Sequence, residues 1–203
     1  MGGTSLKTIG LTGGYCSGKN LCAQLFEQKG CVVVDVDKLG HQALVDAHAE
    51  VVAAFGDSIL AADGRIDRKK LGGIVFGARN ELAKLEAIVH PRMVVECMRL
   101  QTKGEVAGDL AVVFNAALLH RMGLDKLCDV VCYVKAPLCT RFIRARRRDG
   151  LALNAFLRRI LSQKDIKVSN IQGASAVYIL KNSGDTEFIH RQVDSVCDTI
   201  GIY

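Results

Sequence analysis

The run Thr12-Gly13-Gly14-Tyr15-Cys16-Ser17-Gly18-Lys19-Asn20 constrains the fold more than any other stretch of the chain. It lies between a short apolar strand signal at Thr8–Leu11 and a helix-periodic segment from Lys19 to Lys29. Gly13-x-x-x-x-Gly18-Lys19 is the spacing of a phosphate loop of the Walker A kind. Glycines let the backbone curl so that successive N–H groups converge on one anion at the positive end of the following helix. Lys19 then reaches back toward the β- and γ-phosphates of a nucleotide. Gly13, Gly14, Tyr15, Cys16, Ser17, Gly18, Lys19, Asn20 and Leu21 are therefore the candidate nucleotide-contacting residues. The motif asks for Ser or Thr after the lysine, because that hydroxyl ligates the Mg²⁺ carried by the nucleotide. Asn20 stands there instead, with a longer side chain whose amide oxygen is also a ligand, and it is the candidate metal residue. The competing reading is a glycine-rich turn that binds no nucleotide. The order strand, loop, lysine, helix favours phosphate binding.

Downstream, Gly30 reads as a helix stop and Cys31–Val36 as a β-branched strand buried on both faces. That strand runs into Asp35-Val36-Asp37, and carboxylates at the carboxyl end of a parallel strand stand where α/β sheets bind ligands. Asp37, nearer the loop, is the better substrate contact; the alternative is an Asp capping a helix that starts near Lys38. A helix is predicted over Lys38–Phe55, then a turn at Ala62-Asp63-Gly64 and a second helix with Asp67 as its N-cap. A longer helical pattern, Asn80–Gln101, is predicted to be interrupted and kinked at His90-Pro91. The kink either turns His90 into a cleft or leaves it structural. His41 and His48 share a helical face without further ligands and receive no role. Leu110–Phe114, Val130–Val134 and Val177–Leu180 complete a set of five strands, and Asp185 caps a final helix. Strands alternating with helices indicate a parallel sheet covered on both faces, an α/β nucleotide-binding fold.

Composition narrows the class. With 203 residues, 49% hydrophobic and 24% charged, the chain has room for a substantial core and is not of disordered type. No apolar run is long enough to span a bilayer, and the first residues lack a signal-peptide core, so a cytoplasmic setting without membrane contact is expected. The eight cysteines include no C-x-x-C pair; Cys128 and Cys132, four apart, read as parts of one buried strand. Free thiols acting as small hydrophobes fit better than disulfides or zinc, although Cys16, at a helix N-terminus, is placed to be reactive.

The net charge of +6 is concentrated in Arg141–Arg148. Arg141, Arg144 and Arg148 follow i, i+3, i+7 spacing and share a helical face, while Arg146 and Arg147 point elsewhere. Arg158 and Arg159 add charge on the next helix. Such a face reads as a solvated surface, a nucleic-acid patch, or a lid that closes over phosphates as in small-molecule kinases. Few aromatics are interleaved for base stacking, which favours the lid and argues against nucleic acid.

Taken together, the chain resembles the dephospho-coenzyme A kinase family over nearly its whole length. The family loop T-G-G-x-x-S-G-K-S is matched by Thr12 to Lys19, and its D-A-D by Asp35-Val36-Asp37. Its d-G-x-i-d-R-x-x-L matches Asp63–Leu71, followed by Val75-Phe76, and its L-E-x-i-x-H-P matches Leu85–Pro91. The lid pattern Q-x-x-R-x-x-x-R-D matches Arg144, Arg148 and Asp149, with Arg141 where glutamine is usual; a later glutamine matches Gln163, and N-x-G matches Asn182-Ser183-Gly184. The resemblance implies a P-loop kinase-like five-stranded parallel sheet with helices on both faces, a helical coenzyme-binding insertion and an Arg-bearing helical lid. The domain would span 6–203, with core 6–37 and 106–203, helical substrate-binding part 38–105 and lid about 138–165.

It further implies phosphorylation of the ribose 3′-hydroxyl of dephospho-coenzyme A by ATP with Mg²⁺. Lys19, Asp37, Arg144 and Arg148 would be catalytic, Thr12, Asp37, Arg68 and His90 would meet the substrate, and Asn182 and Gly184 would lie by the adenine. Departures cluster after the third strand. Asn115-Ala116-Ala117-Leu118-Leu119-His120-Arg121 replaces D-x-P-L-L-F-E, and Ala176-Val177 stands in place of a terminal A-D, after about three inserted residues. With Asn20, Asn115 weakens the metal side, so Mg²⁺ is expected to bind loosely through water and the nucleotide phosphates. Two other readings stand beside this one: another small P-loop metabolite kinase, and a nucleotide-binding protein impaired in catalysis. Retention of Lys19, Asp37, Arg144 and Arg148 argues against the last. Oligomeric state is not legible.

Overall fold

The computed structural model describes residues 6–202. The segment before Leu6, where no leader is expected, and Tyr203 lie outside these residues. The chain divides into two compact units: residues up to Asp35 together with those from Leu100 onward, and Val36–Arg99.

In the first unit, β1 (Lys7–Thr12), β2 (Val32–Asp35), β3 (Ala111–Asn115), β4 (Val130–Lys135) and β5 (Ala176–Lys181) form one sheet. All pairs are parallel and the order is β2-β3-β1-β4-β5. With β3 on one side of β1 and β4 on the other, the chain changes direction across the sheet at β1. The crevice at the carboxyl end of such a strand is where open α/β sheets bind ligands. Alternation along the strands sets the two faces. On one face Ile9, Leu11, Val113 and Cys132 pack against Phe26 of α1 (Lys19–Gln28) and Val193 of α8 (Thr186–Ile200). Full burial of a side chain the size of Phe26 stabilises by roughly 1.5–3 kcal/mol. The opposite face is packed so closely that a Cβ on Gly10 would lie 2.6 Å from Leu119 Cδ2. The last turns of α5 (Arg79–Ala107) cover this face, where a Cβ on Gly104 would lie only 3.1 Å from Val112 Cγ2.

Helix α1 ends as its sequence suggests. Gly30 is left-handed (φ 81°), its N–H donates to the Glu27 carbonyl at 3.0 Å, and the Cys31 N–H donates to Phe26 at 3.1 Å. This is a Schellman closure, which favours glycine at that site. Beyond the sheet lie α6 (Leu138–Asp149) and α7 (Leu153–Ser162).

The second unit holds α2 (Val36–Asp46), α3 (His48–Phe55), α4 (Arg68–Val75) and the first part of α5. Ala47, Val51, Ile59, Leu71 and Val75 form its own core. A small hairpin precedes α4: Leu60 pairs with Ile66, and the Gly64 N–H donates to Ala61 at 3.0 Å. Asp67 caps α4, accepting from the Lys69 and Lys70 N–H groups at 2.8 and 3.2 Å. These hydrogen bonds, Lys70 foremost, hold its carboxyl below the ordinary carboxylate value.

Four expectations require correction. Strand β2 is not buried on both faces: it is the sheet edge, Val32 is 41% exposed, and pairing stops at Asp35. A β-branched run suits an edge as well as a centre, since propensity reports fit to a pleated surface rather than position in the sheet. The helix predicted over Lys38–Phe55 is two helices that begin two residues earlier, divided at Ala47. The break brings Ala47 and Val51 into the unit's small core. The predicted interruption at His90-Pro91 is absent, and α5 continues through Pro91 to Ala107. Proline removes one N–H there, and Arg92 reaches back with Nη1 to the Ile88 carbonyl at 2.9 Å, adding a bond in the weakened turn. Finally, Cys132 is in β4 but Cys128 precedes it, donating its thiol to the Leu124 carbonyl at 3.1 Å.

Candidate active site

The loop between β1 and α1 is shaped by contacts that only glycine permits. Gly18, immediately before α1, is left-handed at φ 96°. A Cβ on it would fall 1.9 Å from the Asn182 amide nitrogen. A Cβ on Gly14 would lie 2.6 Å from Arg141 Nη2, and one on Gly13 2.6 Å from the Val134 carbonyl oxygen. Cys16 adopts φ 57°, a left-handed conformation uncommon outside glycine. No side chain caps α1, so its first-turn donors are those an anion would satisfy. The Ser17 hydroxyl is 2% exposed and has no hydrogen-bond partner. A buried polar atom left without a partner in a glycine cradle is what a loop built to bind phosphate presents.

Cations converge on this loop from within the same unit. Lys19 Nζ donates to Asn115 Oδ1 at 2.5 Å, and Asn115 Nδ2 in turn lies 3.4 Å from Asn20 Oδ1. Arg144 donates to the Ser17 carbonyl at 3.2 Å and to Asn182 Oδ1 at 2.8 Å. Arg141 Nε donates to the Tyr15 carbonyl at 2.7 Å. Arg148 lies over the Tyr15 ring, 5.3 Å from its centroid, and forms a two-pronged pair with Asp149 at 3.0 and 2.9 Å. That pair, with a hydrogen bond from the Tyr15 hydroxyl, draws the Asp149 carboxyl down to about 2. Burial and the same hydrogen bond push the Tyr15 phenol above its ordinary value.

The predicted nucleotide residues Gly13 to Leu21, Asn182, Arg144 and Arg148 thus occupy one region with Thr12. Two of them carry internal duties. Thr12 is buried and donates its hydroxyl to the Ala117 carbonyl at 3.0 Å. Asn182 is 2% exposed, donates to the Ser17 carbonyl at 3.0 Å and accepts from Arg144, so its amide fastens α6 to the loop. Gly184 has open space around it.

Asp37, Arg68 and His90 belong to the helical unit. Asp37 is in the first turn of α2, Arg68 opens α4, and His90 lies in α5. Arg68 lines a groove with His41, Leu44, Lys69, Val75 and Phe76; neither Asp37 nor His90 lines it. His41, given no role from sequence, is thus beside a candidate substrate residue. His48 Nε2 lies 2.9 Å from the Gly64 carbonyl, a structural contact.

Gln163, matched to the family pattern from sequence but given no partner there, accepts the Tyr15 N–H at 2.7 Å. Sequence reasoning missed a second cluster. Asp165 accepts from Arg121 at 2.5 Å and lies 3.1 Å from His120 Nε2. The Arg121 guanidinium foremost holds the Asp165 carboxyl at about 2. Nothing in periodicity signals such long-range pairs. The cysteines of the described residues are free thiols, and burial pushes those of Cys22, Cys31 and Cys97 up to about 12. Among the described residues no cluster of three or more His, Cys, Asp or Glu is suited to a metal. The Asn115 amide oxygen lies 2.5 Å from Lys19 Nζ, the Asn20 amide oxygen lies 3.4 Å from the Asn115 amide nitrogen, and Asp35 is paired in register with Asn115. Hard oxygen donors of this kind fit a magnesium ion that takes most of its ligands from phosphates and water.

Comparison with known proteins gives a consistent answer. The family model for dephospho-CoA kinase matches residues 7–187. The dephospho-CoA kinase of Bacillus licheniformis is 35% identical over 194 residues, which is 94% of this chain and 95% of the relative. That of Geobacter sulfurreducens is 34% identical over 196 residues, 94% of this chain and 97% of the relative. A crystal structure from Thermus thermophilus superposes with a TM-score of 0.80 at 29% identity, covering 96% of this chain and 98% of that one. On its sheet, its phosphate loop and these matches, the chain belongs to the dephospho-CoA kinase family.

Proposed function

We propose that the protein transfers the γ-phosphoryl group of ATP to the ribose 3′-hydroxyl of dephospho-coenzyme A, giving ADP and coenzyme A. The observation that carries this reading is the unpartnered, buried Ser17 hydroxyl in a glycine cradle flanked by Lys19 and Arg144. Phosphoryl transfer asks little covalent chemistry of the protein; it asks for positioning and for charge neutralisation. Lys19, Arg144 and Arg148 neutralise charge on the transferring group. Asp37 accepts or orients the proton of the attacking hydroxyl, so that the O–P bond forms as the γ-phosphoryl leaves ADP. Arg68 and His90 bind the coenzyme portion, and Gly184, with open space beside it, leaves room for the adenine. Asn20 Oδ1 would hold Mg²⁺, which would supply further neutralisation of the phosphates. The reading needs no nucleic acid or membrane partner, and no helix among the described residues is long and apolar enough to cross a membrane. A cytoplasmic setting belongs to the same proposal, because both substrates are small and water-soluble.

The decisive experiment measures ADP release with dephospho-coenzyme A as acceptor across a magnesium series, with Asp37→Asn in parallel. Acceptor-dependent turnover that the substitution abolishes is the expected result. Nucleotide binding without turnover at every magnesium level would replace this proposal with a non-catalytic nucleotide-binding role.

A further inference from the structure

Tyr15 stands at an unspecified position of the family loop, yet the lid grips every polar part of it. Its N–H donates to Gln163 Oε1 at 2.7 Å, and its carbonyl accepts from Arg141 Nε at 2.7 Å. Its hydroxyl donates to Asp149. Two guanidinium groups lie over its ring, Arg148 at 5.3 Å and Arg159 at 4.8 Å from the centroid. Phe156 of α7 closes the cluster, its ring centroid 6.4 Å away. Asp149, bonded to Arg148 at 2.9 Å, is also 3.8 Å from Arg159 Nη1.

Two arginines side by side repel, and each is a long side chain with much rotamer freedom to lose on binding phosphate. A tyrosine presents both a π face, which attracts guanidinium, and a hydroxyl that fixes the carboxylate between them. Asp149, at the end of α6, pairs with both cations, and Tyr15 ties that carboxylate and both guanidinium groups to the loop. We infer that Tyr15 is a positioning residue whose ring and hydroxyl hold Arg148 and Arg159 together at the phosphate loop, with Arg159 a second lid cation for the nucleotide. This rests on the reading of the loop as the ATP phosphate site. Preorganised charge costs no reordering when the phosphoryl group moves, so the arrangement acts on turnover as well as on ATP affinity.

The test is a double-mutant cycle. Tyr15→Leu and Tyr15→Phe are made in the natural sequence and in an Arg148→Gln/Arg159→Gln background. For each, kcat and KM for ATP, ATP affinity by calorimetry and Tm are measured. In the natural background Tyr15→Leu is expected to lower kcat/KM for ATP about tenfold without changing KM for dephospho-coenzyme A, and Tyr15→Phe, which keeps the ring, to lose about threefold or less. In the double-glutamine background both changes should cost under about twofold, because the cations they position are gone. Equal losses in the two backgrounds, no loss for Tyr15→Leu, or a Phe variant as poor as the Leu variant would each overturn the inference. Should Tyr15→Leu fail to fold, the smaller loss in Tyr15→Phe and its disappearance in the second background carry the same decision. Should the unsubstituted protein bind ATP but turn over no acceptor, the kinase reading fails, and the calorimetric cycle still decides the role of Tyr15.

Discussion

Two neighbouring segments, the loop after β1 and the turn after β3, solve opposite problems. The loop Gly13–Lys19 leaves a buried hydroxyl unsatisfied and excludes every Cβ that would fill its hollow. The turn from Asn115 to Arg121, where the chain departs from the family pattern, is satisfied from within. Asn115 is bonded to Lys19 and Asn20, Ala117 accepts from Thr12, and His120 and Arg121 meet Asp165. The loop thus keeps the shape that a phosphate site would need, whereas the turn, without the family's acid, proline and glutamate, makes its contacts inside the protein. A departure from a family motif does not by itself mean a decayed site; here the substituted residues have acquired partners of their own.

If that contrast is right, substitutions in the loop should cost activity and substitutions in the turn should cost stability. The largest effect is expected for Lys19→Met, a fall in kcat of about 10³-fold at nearly unchanged Tm, the outcome that the proposed role of the lysine on developing phosphate charge requires. Arg144→Ala should lower kcat by about 10²-fold. Asn182→Ala, which removes only the amide that accepts from Arg144 and donates to Ser17, should cost less than Arg144→Ala. Steady-state kinetics beside thermal melts separate the two kinds of loss, and a Lys19 variant that loses stability in place of turnover would collapse the distinction.

On the other side of the contrast, Asp165→Asn should leave kcat within about twofold and lower stability by about 1 kcal/mol, the pairs being partly solvated. The pH dependence has a definite sign. The folded carboxyl titrates at about 2, below its unfolded value. Its contribution is therefore complete above about pH 4 and is lost as the pH falls toward 2. Urea melts at pH 6 and pH 3 should show the Asn variant's deficit shrinking at the lower pH; a deficit that grew on acidification would contradict the assignment.

The sheet was largely legible because its signals are local. Apolar, largely β-branched runs of four to six residues, punctuated by glycine and proline, mark strands whatever their neighbours do. The Gly13 to Lys19 spacing marks the loop, and Asp67 and Gly30 mark helix ends by chemistry within four residues. What failed was position in three dimensions. Val32-Val33-Val34 carries no sign that it is an edge strand, and Ala47 carries no sign that its helix divides there. Pro91 reads as a helix break by its chemistry, yet α5 is continuous through it. At the site, the residue types were legible but their partners were not. The grip of Gln163, Asp149 and Arg159 on Tyr15 joins residues more than 130 positions apart, and no spacing rule reaches that far.

The smallest effect is the most informative about the two asparagines. Asn20 holds the motif position of a hydroxyl, Asn115 that of an acid, and the two amides lie within reach of each other at 3.4 Å while Asn115 also accepts from Lys19. If Asn20 supplies only one neutral oxygen to magnesium, Asn20→Ser should tighten Mg·ADP binding in calorimetry by about threefold, with a matching fall in the magnesium needed for half-maximal turnover. Asn115→Asp adds a carboxylate beside Lys19, where the ammonium neutralises much of its charge, so alone it should change magnesium binding by less than about twofold. Because the amides contact each other, the double substitution should depart from additivity by about 0.5 kcal/mol or more, roughly a factor of two. Strict additivity would mean that the asparagines act separately and that the turn after β3 has no part in holding the metal. A tightening in Asn20→Ser that disappears when Asn115 is also changed would show instead that the pair is one unit, rewired together.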